Sequence, residues 1–225
     1  MSGHPVTLPA HDLPKQRPLV DVRRVVGISS FVVVGMMLLE GARAMLLGHR
    51  PVLDNTAALV EYQTNTATGM LVVITIDTFL MTALIVFLGA FRQMVTNHNR
   101  DLRWIADIAF GAGIVFVAVT LVGDAMAGGA ALDTIGTVPD PSTIRALTVG
   151  HILMFGVVGC VLTALVMAAC GVIVLNSTLF PRWVGWAALA CAATNMLSVP
   201  TTFLGTDPDF WASSGGWATT AFATM

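Results

Sequence analysis

Five runs of apolar residues, at 25–47, 68–91, 104–127, 147–175 and 183–204, occupy most of this chain and are separated by short polar segments. Each is long enough to cross a bilayer as a helix, because about 20 residues rising ~1.5 Å apiece cover a hydrocarbon core of about 30 Å. The runs are continuous rather than alternating, so the pattern predicts an all-α, polytopic transmembrane helical bundle. A sixth apolar segment, 211–225, falls short of a full crossing and is expected to form a partial span. Residues 1–24 have no apolar core and carry His4, Pro5, Pro9, His11, Pro14 and Pro18, which predicts a disordered cytoplasmic tail ahead of one transmembrane domain at 25–225.

Charge adds orientation. Only 11% of residues are charged, about half the share of a soluble domain, and a formal net charge of −2 argues against nucleic acid as a partner. The lipid bilayer is the expected partner, with other membrane proteins or a second copy as further candidates. Lys15, Arg17, Arg23, Arg24, Arg92, Arg100, Arg103 and Arg182 fall on one side of the predicted spans, whereas the opposite loops hold Arg50 and Arg145 beside Asp54, Glu61, Asp133, Asp140, Asp207 and Asp209. The positive-inside rule then places the N-terminus in the cytoplasm. Ten of the eleven basic residues are Arg, which with the abundance of Ala, Val and Gly points to a GC-rich bacterial genome and hence to a bacterial plasma membrane.

Weak internal repetition is present. Thr82-Ala83-Leu84-Ile85-Val86 matches Thr163-Ala164-Leu165-Val166, and Arg103-Trp104-Ile105 matches Arg182-Trp183-Val184. An ancient duplication of a two-helix hairpin and simple recurrence of common membrane residues both account for it. In either case Trp104, Trp183 and Trp186 are expected as anchors in a cytoplasmic-side aromatic belt. Gly156, Cys160, Ala164 and Ala168 recur every four residues and predict a close-packing face on the fourth span. Cys160, Cys170 and Cys191 all lie within spans and read as reduced packing residues.

Candidate chemistry rests on ionisable residues inside the spans, each costly in hydrocarbon unless paired, neutralised or facing water. Asp77 falls near the middle of the second span, where a lone carboxyl needs a proton, a cation or an Arg; Asn195, mid-way along the fifth span, is an expected partner. Glu40 and Arg43 share a helix face near the outer end of the first span and are expected either to neutralise each other or to join a site. Asp124 and His151 lie at similar predicted depth, so Glu40, Arg43, Asp124 and His151 are candidates to converge. No HxxxH or HExxH pattern, phosphate-binding loop, dinucleotide fingerprint, nucleophile elbow or intramembrane Lys occurs, so no metal, no cofactor and no catalytic residue is expected.

Asp54-Asn55-Thr56-Ala57-Ala58 in an outer loop, Thr96-Asn97-His98-Asn99-Arg100 in a cytoplasmic turn, and Leu179-Phe180-Pro181-Arg182-Trp183-Val184-Gly185-Trp186 at the start of the fifth span form a distinctive layout. Over residues 20–204 the chain resembles the small six-helix bacterial membrane proteins, common in actinobacteria, that are grouped as a domain of unknown function. That resemblance implies a fold and no catalytic residues. Three classes of function follow: a non-catalytic component or subunit of a larger membrane complex, ranked first; a proton- or cation-coupled transporter using Asp77, ranked second; and a membrane-embedded lipid-modifying enzyme, third for want of a metal or nucleophile signature.

Overall fold

The computed structural model describes residues 21–205 apart from His49 and Thr137. The predicted tail up to residue 20 and the predicted partial span at 211–225 lie outside the described residues. Among the described residues all regular structure is helical: α1 (Val22–Leu46), α2 (Thr56–His98), α3 (Arg103–Leu132), α4 (Pro141–Leu153), α5 (Gly159–Leu175) and α6 (Arg182–Leu197). A 3₁₀ turn, Arg100–Leu102, leads into α3, and a 3₁₀ segment, Val199–Leu204, follows α6. Five segments are long and apolar enough to cross a membrane: Val22–Leu46, Thr56–His98, Arg100–Leu132, Pro141–Leu175 and Arg182–Leu204.

The helices outrun the apolar runs because caps and amphipathic ends extend them. Asp21 accepts from the Arg23 amide and starts α1 at Val22, so Val22–Arg24 are helix rather than tail. Asn55 accepts from the Ala58 amide, which starts α2 at Thr56 instead of 68. Within that extension Leu59, Gln63 and Ala67, four apart, are buried, and Leu59 packs with Leu53, Ile144 and Ile152. At 43 residues α2 is about 65 Å long, twice the thickness of a hydrocarbon core. Asp140 caps α4 ahead of Pro141, a residue preorganised for the first helical turn.

One span is not a plain α-helix. Between α4 and α5, Met154–Val158 form a π turn with Gly156 outside helical geometry (φ −72°, ψ −110°), so the span bends at a place the apolar run does not mark. Pro200 has a similar local effect: α6 ends at Leu197 and the chain continues as 3₁₀, with Thr201 Oγ1 donating to the Ser198 carbonyl.

Packing is largely sequential, with α1 on α2, α2 on α3, α3 on both α4 and α5, and α5 on α6. Apolar clusters mark three levels: Leu53, Leu59, Ile144 and Ile152 at the acidic-loop end; Leu80, Met81 and Val117 midway; Phe91, Val95, Leu102, Ala106 and Ile173 at the Arg-rich end. In lipid, where no hydrophobic drive pulls helices together, close backbone approach supplies the contact. It is tightest between α5 and α6: a Cβ on Gly171 would lie 3.0 Å from the Gly185 carbonyl oxygen, and one on Gly185 would lie 3.1 Å from that of Gly171.

Candidate functional site

Asp77 lies at the midpoint of α2, about 32 Å from either end, and is 3% exposed. The threonines near it do not serve it. Thr75, Thr78 and Thr82 each donate to the carbonyl four residues back, at 2.8–2.9 Å, the nearest acceptor for a hydroxyl on a lipid-facing helix. Its neighbour across the helix pair is Asp124 of α3, itself 6% exposed, and the two carboxyls are close enough to influence each other. Oδ2 of each is buried with no other donor against it. Two facing buried carboxyls can share a hydrogen bond only while one of them carries a proton, since an ionised carboxylate only accepts. Glu40 of α1 is close enough to be felt electrostatically by both.

The remaining candidates are distributed around this pair. His151 does not enter the acid cluster; its Nδ1 lies 3.0 Å from the Gly123 carbonyl oxygen and its ring 4.7 Å from that of Phe155. It therefore braces the backbone beside Asp124, with Nδ1 as donor since a carbonyl only accepts. Arg43 is exposed and makes no ion pair with Glu40 among the described residues: Glu40 turns into the bundle, and the longer guanidinium reaches outward. Asn195 is fully buried but is not the partner of Asp77, because α6 packs against α5. Its Nδ2 instead donates to the Cys191 carbonyl at 2.9 Å. Arg50, in the loop after α1, has its guanidinium held below the usual arginine range by burial. Among the described residues no three His, Cys, Asp or Glu side chains gather as a metal-binding group.

Asp77 and Glu40 open onto a cavity of about 870 Å³ between α1, α2, α3, α5 and α6. It runs along α1 from Glu40 to Arg23, about 25 Å at 1.5 Å per residue. Its wall is apolar and soft, with Met37, Leu84, Phe116, Phe155 and Met167 among its residues. Thr163 adds a buried Oγ1 that has no hydrogen-bond partner. The other end reaches Arg23, His98 and Thr178, where His98 Nε2 lies 3.3 Å from Thr178 Oγ1. Among the described residues α1 packs chiefly on α2, and the cavity lies on its side toward α5 and α6.

Of the small-residue face, Gly156, Cys160 and Ala164 are buried and Ala168 is half-buried. Trp104, Trp183 and Trp186 are exposed near the starts of α3 and α6, beside Arg103 and Arg182. There Asp107 receives Arg92 Nε at 2.5 Å and Arg103 Nε at 3.8 Å. The sequence reading missed Gly123, which lets the π turn close on α3: a Cβ there would lie 2.7 Å from Phe155 Cε2. A glycine immediately before an intramembrane acid was the available signal. Neither family models, nor curated proteins, nor solved structures yield a match to this chain.

Proposed function

We propose that this membrane protein is a small proton-coupled carrier whose proton-binding element is the Asp77–Asp124 carboxyl pair. The observation that carries this reading is the position of the pair: it is held at mid-bundle, with Asp77 facing a cavity that extends to the Arg-rich end. A purely structural helix clamp would be satisfied by a hydroxyl or an amide. Two facing acids instead form a group whose contact breaks when its proton leaves, and intramembrane acids aimed into cavities are the usual elements of proton relays. The π turn beside Gly123 supplies a place for the α4–α5 span to flex next to the pair. With the Arg-rich end facing the cytoplasm, the cavity would be in its inward-facing state.

The test is made on protein reconstituted in vesicles containing a pH-sensitive dye. These are challenged with gradients of inorganic cations, organic cations, neutral solutes and anions. At least one solute gradient is expected to drive proton movement, and Asp77→Asn is expected to abolish it. Absence of solute-driven proton movement across the whole panel, or its survival in Asp77→Asn, would overturn the carrier reading. A second protein retained in fixed ratio on mild extraction would favour the complex-subunit reading instead.

A further inference from the structure

The cavity has a chemical polarity that specifies its cargo. Over its length the wall is formed mostly by Val, Leu, Met and Phe side chains, with Ser30, Thr120 and Thr163 interspersed, and at its deep end it meets Glu40 and Asp77. Asp77 is more than nine-tenths buried, lines this space and has an Oδ2 with no hydrogen-bond partner among the described residues. A volume of about 870 Å³ is that of a site for a small organic molecule, within the usual ~300–1,000 Å³. An inorganic cation would leave the apolar length empty and would have to shed its hydration where few oxygens replace it. An anion would meet two acids. We propose that the cavity binds a lipophilic organic cation, its charge against Asp77 and Glu40 and its apolar body along α1 toward Phe116 and Met167.

This assignment rests on the carrier reading and gives the exchange its chemistry. As the cation arrives, an O–H bond of the Asp77–Asp124 pair breaks heterolytically. The electron pair stays on the carboxylate oxygen, the proton leaves for water, and one positive charge replaces another, so the charge of the site is unchanged. The ionisable groups facing the pair are Glu40 from α1 and, behind Gly123, His151 from α4. Segment α5 contributes Thr163 and Cys170 to the cavity, and α6 contributes Val184 and Ala188. Arg23 and His98 stand at the far end, about 25 Å or more from Asp77 along the helices. Proton and cation therefore compete for one place, and binding weakens as pH falls.

The experiment is equilibrium dialysis of labelled tetraphenylphosphonium against the full chain in mild detergent, with tetraphenylborate as the anionic counterpart of the same shape. One saturable tetraphenylphosphonium site is expected, with an apparent Kd rising up to tenfold per pH unit on the acid side. Asp77→Asn should weaken it at least tenfold. The exposed Arg43→Ala should bind as the native protein does. Equal binding of tetraphenylborate would show an apolar or lipid-chain site and overturn the proposal, as would binding unaffected by Asp77→Asn. No saturable binding, in a protein that moves protons with an inorganic cation in the vesicle assay, would overturn the cargo class and leave the carrier reading standing.

Discussion

Asp140 shows how one side chain sets an element's start. Its carboxylate accepts from the Ser142 and Thr143 amides and from both hydroxyls, at 2.6–3.2 Å, and the Thr143 and Ser142 hydroxyl bonds pull its pKa down to about 2. A depressed carboxyl stabilises the folded state fully above its unfolded pKa of about 3.9, and that contribution is lost as pH falls through about 2. Thermal melts of native protein and Asp140→Asn should therefore differ by a gap that is constant above about pH 5 and narrows toward pH 2, because Asn caps without titrating. A gap independent of pH would mean the carboxylate's charge is not what the cap uses. At this scale the sequence was readable for identity and depth, since Asp77 was singled out by charge in an apolar run. Its partner was not readable: Asp124 and Asn195 both lie on other spans, and only packing chose between them.

Among elements, the α5–α6 contact depends on Gly171 and Gly185. A side chain at Gly171 would press on Leu189 and on the Gly185 carbonyl, and backbone cannot yield as a flexible side chain can. Gly171→Val is expected to cost ~1–3 kcal/mol by overpacking, read from unfolding of the purified protein in mixed micelles. Gly111→Val, at an open position on α3, should change stability far less; equal losses would show that helix propensity and not packing is responsible. The sequence stripe Gly156, Cys160, Ala164, Ala168 assumed regular 3.6-residue turns. The π turn at Met154–Val158 breaks that register at its first member, and nothing in a uniformly apolar run marks where an extra residue is inserted.

For the whole molecule, the distribution of charge gives an expected orientation, with the Arg-rich end in the cytoplasm. In a cysteine-free background, Asp54→Cys is expected to label with a membrane-impermeant maleimide in intact cells, and Arg100→Cys only after permeabilisation; the reverse would invert the bundle and open the cavity to the outside. The sequence by itself determined the class and the place of five spans, because the cost of burying a backbone without water forces every long apolar run into helix. It also placed the intramembrane acids, since each is conspicuous against hydrocarbon. Tertiary structure alone decided which acids meet, that Arg43 points away while Glu40 points in, and that α1 leaves a cavity rather than a seam. Those outcomes depend on the rotation and tilt of each helix against its neighbours. In lipid these are set by close van der Waals fit at glycines such as Gly123, Gly171 and Gly185, and hydrophobic periodicity is silent where every face of a helix is apolar.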